Sequence, residues 1–344
     1  MTTDTTPHHR DSTRDSNSNS NGDRVAVLLM AYGTPRTPAE IEPYYTDIRR
    51  GRPPTPEALA DLTERYAAIG GVSPLAQLTE AQRDALQAAL DQRAPGRFHV
   101  ALGLKHADPK VEDAAEELAA AGYPTVVGLV LAPHYSSYSI GQYLDRTAQG
   151  VARLEQEGDS STTVVGIDSW AVEPAFVEFL ADDLRARLDA MRAATGGRIR
   201  VLFTAHSLPQ RIIDGGDPYP DELRSTAEAV ADRLGLVEGV DWQIAWQSAG
   251  RTPEPWIGPD ILEVIDGLGR TATENADDAV AGVIVSACGF VADHLEVLFD
   301  LDIEAAQRAG QHGLAFDRTA CVNDHPAIMA ALADRVLSAV DATR

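Results

Sequence analysis

VLLMAYGTP at residues 27–35 and VLFTAHSLP at residues 201–209 are close to one phrase written twice. Each is an apolar run of the length that suits a strand buried on both faces, followed by a ring-bearing residue and a turn that closes on proline. Tyr32 stands in the first where His206 stands in the second. Two more pairs follow in the same order. FHVALGLKHADP from Phe98 answers WQIAWQSAGRTP from Trp242, and VVGLVLAP from Val126 answers VAGVIVSA from Val280. Any one match is weak evidence. The ordered set predicts an α/β chain with two similar Rossmann-like lobes, each a parallel sheet flanked by helices.

Strands are predicted to start near Val25, Phe98, Thr125, Val164, Arg200, Trp242 and Val280, with amphipathic helices between them. In the helix expected over 173–192, Pro174 suits the first turn, and Phe176, Phe179, Leu180, Leu184, Leu188 and Met191 share one face. The lobes are drawn at 23–192 and 198–344. Residues 1–22 are almost wholly polar and are read as a disordered tail.

Open parallel sheets bind ligands beyond the carboxyl ends of their strands, so Tyr32 and His206 are expected to point into one shared cleft. The first two strands are about thirty residues further apart in lobe one than in lobe two, and long extra segments are usually functional. The insertion falls at about 43–76. It holds Arg49, Arg50, Arg52 and Arg65, interleaved with Tyr44, Tyr45 and Tyr66. Such a basic, aromatic lip suits a flat anionic ligand, although a solvated helical hairpin has the same composition.

That lip stands out because the chain as a whole carries a formal charge of −23. This balance argues against nucleic-acid binding and favours attraction of cations. Cys288 and Cys321 are the only cysteines, which predicts no disulfide framework and fits a cytoplasmic location. No apolar run is long enough for a membrane helix.

Near the end of lobe two stands CGFVADHLEVLFDLDIEA, from Cys288. If it is helical from about Asp293, then Glu296, Asp300 and Glu304 stack on one face. Three carboxylates in a row repel one another, and a cation passed along them would relieve the cost. A solvated acidic face is the commoner fate of such a pattern. A lone histidine at a strand end is likewise more often packed than reactive. The combination of His206 at one strand end with the carboxylates at another favours a metal or proton site. His294 lies two positions from Glu296 and is expected to face elsewhere. His134, at a third strand end, is placed at the cleft wall or behind a neighbour. His99, His106, His312 and His325 have no convincing partners. Glycine-rich nucleotide loops and a G-x-S-x-G elbow are absent, and two distant cysteines make neither a zinc nor an iron–sulfur site.

The stretches quoted above resemble the ferrochelatase family, together with YYTDIRRGR, RYAAIGGVSPLA, VLAPHYSSYS, GDPYP and WQSAGRTPEPWIGPD. The likeness is strongest to the coproporphyrin ferrochelatases of Gram-positive bacteria and runs unbroken over residues 24–335. It implies chelatase-type lobes around a porphyrin cleft and a lyase-type metallochelatase that inserts Fe2+ into coproporphyrin III during heme biosynthesis. By this resemblance His206 and Glu296 are the catalytic and metal-binding pair, and Asp300 and Glu304 continue a metal path. Tyr32 is the axial ligand on the opposite face of the ring, and Arg49, Arg65, Tyr66, Ser73 and Tyr143 contact the porphyrin. It also implies a monomer, with iron as substrate, no resident cofactor and transient contact with neighbouring heme-pathway enzymes. Actinobacterial relatives that carry a [2Fe–2S] cluster use cysteines this chain lacks, so none is expected. Three other readings are protoporphyrin IX as the porphyrin, a cobalt or nickel chelatase, and a non-catalytic tetrapyrrole carrier.

Overall fold

The computed structural model describes residues 24–155, 161–250, 252–274 and 279–343, so the polar tail at 1–22 lies outside the described residues. The first lobe runs β1 (Val25–Ala31), α1 (Ile41–Ile48), α2 (Pro56–Ala68), α3 (Leu75–Arg93), β2 (Phe98–Leu104), α4 (Val111–Ala120), β3 (Thr125–Val130), α5 (Ile140–Glu155) and β4 (Thr163–Ile167). A linking helix, α6 (Pro174–Thr195), leads to β5 (Ile199–His206), α7 (Gln210–Asp214), α8 (Tyr219–Leu234), β6 (Trp242–Gln247), α9 (Ile261–Glu274) and β7 (Gly282–Ser286). Then come α10 (Leu295–Leu298), a π turn over Asp300–Ala305, α11 (Ala306–Gln311), β8 (Ala315–Arg318) and α12 (Pro326–Asp341).

The duplication is present in the strand order. One sheet is β2-β1-β3-β4 and the other is β6-β5-β7-β8, and every pairing is parallel. All seven residues of β1 are buried, as a central strand covered on both faces requires. The ladders also adjust the sequence matches. Val25 pairs with Thr125 and Ile199 pairs with Gly282, so those two partners stand at one level. The phrase match at Val126 and Val280 is therefore displaced by three residues. Apolar runs fit one another at several offsets, whereas the hydrogen-bond ladder admits one.

The lobe boundary needs one amendment. Helix α6, drawn with the first lobe, packs on α8 and β7 of the second; α12, drawn with the second, packs on α3 and β4 of the first. An apolar stripe does not record which sheet it will cover. Pro174 opens α6 and Gly196, at φ 68°, closes it in the left-handed conformation glycine tolerates. The exchange produces one continuous core in which Val27, Phe176, Leu184, Val201, Ile284 and Leu332 all belong to the same cluster.

The insertion forms α1 and α2. Thr55 caps α2 by accepting from the Ala58 N–H (3.3 Å), and Pro56 occupies the first turn. Its apolar face does not fold back on its own lobe alone. Ile41 and Tyr66 bury against Leu295 of the second lobe, with Leu59, Leu62 and Phe299 around them. The insertion and the acidic helix are thus packed directly together. Among the described residues, no helix is long and apolar enough to cross a membrane.

Candidate functional site

The carboxyl ends of β1 and β5 deliver Tyr32 and His206 to the cleft, as the switch-point rule anticipates. Tyr32 is 42% exposed. Its ring lies 4.6 Å from that of His106, whose Nδ1 is 2.7 Å from Asp47 on α1; Asp47 also accepts from Lys110 Nζ at 3.0 Å. His106 therefore has partners that sequence spacing did not disclose, because they come from the end of β1 and from the insertion. Burial pushes its imidazole down to about 4. Crowding by the cleft walls, and next the Glu296 charge from the other lobe, raises the Tyr32 phenol well above its ordinary value.

Opposite, His206 Nε2 stands 3.7 Å from Glu296 Oε1, and each side chain is 34% exposed, within reach of a ligand. His206 Nδ1 donates to the Ser207 carbonyl, which leaves Nε2 as the nitrogen that faces the cleft. His294 Nε2 lies 3.5 Å from Glu296 Oε2. The expectation that His294 faces away is thus overturned. It assumed helical geometry, but His294 is the extended residue ahead of α10 (φ −157°, ψ −176°), so its side chain follows no helical spacing. Burial alone would discourage charge on both members of the pair. Their mutual attraction outweighs it: His206 is raised, while His206 and His294 together hold Glu296 well below the carboxylate range.

The stacked carboxylates do not form one cluster. Glu304 donates its backbone N–H to Phe299 O (2.9 Å), five residues back, so the expected α-helix widens into a π turn. Asp300 is buried and bonded to Arg65 of the insertion and to Ser248. Burial drives its carboxyl up to about 6 against the pull of Arg65. Glu304 is exposed. The Arg65 guanidinium relieves the repulsion at Asp300, and its plane also covers Phe299 (4.8 Å). Among the described residues, no group of three or more acidic, histidine or cysteine side chains is spaced to hold an ion.

The remaining residues expected to contact a porphyrin divide by exposure. Arg49 is exposed over Tyr45 and, with Ile48, Arg50 and Arg52, borders a depression of about 200 Å³. Tyr66, Ser73 and Tyr143 are buried. Tyr66 Oη is 3.3 Å from Thr34 Oγ1, Ser73 Oγ accepts from the Leu75 N–H, and Tyr143 lies beneath the Lys105 ammonium (5.2 Å). His134 does not line the cleft. It is buried against Thr226 and Tyr219, and the Tyr219 hydroxyl donates to the His206 carbonyl.

Two contributors escaped sequence reasoning. The Trp256 ring lies 6.3 Å from that of His206 and packs so closely on Gly250 that a Cβ there would come within 2.4 Å of the indole. Trp256 sits inside the quoted WQSAGRTPEPWIGPD stretch, and an aromatic directly after the Pro253–Pro255 turn was the available signal. Gly289 is the second. A Cβ at this position would stand 2.3 Å from Ala205 Cβ, immediately before His206. The Gly289 N–H also donates to Thr204 O at 2.9 Å, pinning the loop that carries His294 and Glu296 onto β5. Gly289→Ala is expected to cost about 1–3 kcal/mol of stability by overpacking. Because the loop must lift, it is expected to weaken metal binding too; a variant with wild-type urea midpoint and metal affinity would refute the role given to this contact.

A family model for ferrochelatase matches residues 24–340. The chain is 42% identical to a ferrochelatase of Herpetosiphon aurantiacus over 306 residues, covering 89% of this chain and 96% of the relative. It is 42% identical to the coproporphyrin III ferrochelatase of Geobacillus kaustophilus over 314 residues, covering 91% and 95%. Coproporphyrin III ferrochelatase 1 of Bacillus cereus is 41% identical over 315 residues, covering 91% and 97%. Among solved structures, the sirohydrochlorin chelatase SirB of Bacillus subtilis in complex with cobalt shares the fold. Its TM-score is 0.52 at 10% identity, covering 92% of this chain and 96% of that one.

Proposed function

We propose that this chain, which belongs to the ferrochelatase family, inserts Fe2+ into coproporphyrin III and releases two protons. The observation that carries the reading is the His206–Glu296 pair, open to the cleft and within electrostatic reach of Tyr32 on the facing lobe. The lobes would hold the flat ring between them, with Arg49 and its neighbours meeting the carboxylates that a −23 protein otherwise repels.

The electrostatics suggest a division of labour. Glu296, held far below its usual range, is a poor base at neutral pH but a good oxygen ligand for a hard divalent ion. His206, raised by Glu296, is the group that exchanges protons. An arriving Fe2+ displaces the proton on His206 Nε2 and takes Nε2 and Glu296 Oε1 as donors. As the ion passes to the ring nitrogens, Nε2 is freed to accept a pyrrole proton, and the second leaves to solvent beside His294. A site of few donors suits an ion that must be handed on. Tyr32, with its phenol raised, stays protonated until a cation reaches the ring centre beneath it.

Metal binding to the porphyrin-free protein should therefore weaken at low pH. Below the raised His206 pKa, apparent Co2+ affinity is expected to fall about tenfold per pH unit, because binding must expel a proton. Titration by isothermal calorimetry between pH 6 and 8 measures this, and affinity that is flat across the range contradicts the role of Nε2.

The deciding experiment is anaerobic Fe2+ insertion with coproporphyrin III and protoporphyrin IX in competition. Faster turnover of coproporphyrin III is expected. Preference for the two-carboxylate ring would reassign the substrate, and no product with either would leave a carrier. A carrier is also indifferent to Glu296→Gln, which the enzyme is not.

A further inference from the structure

Helix α10 is a single turn, too short to hold its own position, so something outside it must aim Glu296. The residue ahead of His294 is Asp293, and one side-chain amide grips it twice. The Asp293 N–H donates to Asn323 Oδ1 (3.0 Å), and Asn323 Nδ2 donates to Asp293 Oδ2 (2.9 Å). Asp293 Oδ1 accepts from Arg318 Nη2 (3.0 Å) at the end of β8. The same guanidinium reaches the π turn on the far side of α10, where Nε and Nη2 donate to Asp302 at 2.6 and 2.9 Å. Glu296 is thus bracketed between two carboxylates tied to one arginine.

Asn323 is itself anchored from the other lobe. Gln82 on α3, fully buried, donates Nε2 to the Asn323 carbonyl (2.9 Å), and the Asn323 N–H donates to Val291 O (2.8 Å). The backbone at Asn323 is left-handed (φ 48°), a conformation asparagine adopts more readily than other residues with a side chain. Helix α3 begins just past Ser73, where the insertion ends. Hydrogen bonds therefore run from α3 of the first lobe, through Asn323 and Asp293, to the head of α10.

Resting on the reading of His206 and Glu296 as the iron-handling pair, we infer that Asn323 and Arg318 are positioning residues, a clasp that sets Glu296 and His294 against His206 from outside the site. Among the described residues, the Glu296 carboxylate pairs with His206 and His294, whereas the side chains of Asn323 and Arg318 bond to Asp293 and Asp302. Their effect is on metal affinity, in the way outer-shell partners tune ligands.

Asn323→Gly isolates the clasp, since glycine keeps the left-handed backbone and removes only the amide. Co2+ affinity of the porphyrin-free protein is expected to fall about tenfold or more, with a matching rise in KM for Fe2+. KM for coproporphyrin III should stay within about twofold. Asn323→Asp keeps the backbone but sets a carboxylate against Asp293, and should lose more. A merely structural role predicts a lower melting temperature with both KM values moved together or neither moved, and either result overturns the clasp. Should Asn323→Gly fail to fold, Arg318→Lys, which keeps the charge and loses the fork, carries the same expectations. Wild-type protein that binds no Co2+ through His206 would sink the iron-handling reading itself. Wild-type binding unchanged in Asn323→Gly sinks only the clasp.

Discussion

Replacing His206 with alanine is expected to slow Fe2+ insertion by at least about a hundredfold, the usual worth of a positioned proton-transfer group. The loss should be larger if Nε2 is also a ligand. Glu296 would keep only His294, 3.5 Å away on the side of the carboxylate that faces away from His206. Because His206 is one-third exposed and makes its remaining bond to its own neighbour's carbonyl, little packing is lost. The melting temperature should shift by only a few degrees, about 1 kcal/mol or less. Porphyrin affinity, read by quenching of the nearby Trp256, should stay within about twofold, since no ring-gripping residue is touched. Single-turnover insertion under anaerobic conditions makes the measurement, and a variant that retains more than about a tenth of the wild-type rate removes His206 from the proton path.

How far such a site can be read from sequence depends on what kind of contact builds it. The doubled phrase at Val27 and Val201 carried the two parallel sheets, because a strand buried on both faces must be continuously apolar and says so. Strand β8 carried no such sign. Ala315–Arg318 is a four-residue edge strand, half-buried throughout, with a charged residue at half its positions. The offset of the ladders was hidden for the opposite reason, since apolar runs look alike at every register. Strand ends did announce Tyr32 and His206, because chain direction and sheet topology alone place them.

The acidic side was less legible. Spacing put Glu296, Asp300 and Glu304 on one α-helical face, and that inference required a regular helix. A π turn after a single α turn breaks the regularity, and the extended backbone at His294 breaks it again just upstream. Both departures serve to bring His294 beside Glu296 and to turn Asp300 toward the insertion. The pairings that matter most, Arg65 with Asp300 and Asp47 with His106, join residues 235 and 59 positions apart. Composition showed a basic lip and an acidic helix; only the folded chain shows that one arginine of the lip neutralises the helix.

That arginine is the site of the second large effect. Arg65→Ala is expected to destabilise the protein in a strongly pH-dependent way. Asp300 would remain buried without its counter-charge, and breaking such a pair by deleting one partner ordinarily costs about 3–5 kcal/mol. The carboxyl can escape by taking up a proton, which limits the cost. In the intact protein Asp300 titrates at about 6, raised by burial despite Arg65. Without Arg65 it must titrate higher still. A folded-state pKa above the unfolded value means that stability is fully present below the unfolded pKa and is lost as pH rises through the folded one. At pH 5 both proteins hold Asp300 largely protonated, so the variant should lose only the packing of the guanidinium on Phe299. At pH 8, about two pH units above the wild-type value, the penalty should approach roughly 3 kcal/mol, at about 1.4 kcal/mol per unit. Urea unfolding at the two pH values tests this, and a destabilisation equal at both would show that Asp300 charge is not what Arg65 supports. Insertion activity should fall in parallel above pH 6, because the same pair joins the insertion to the π turn and so helps hold Glu296 in the shared cleft.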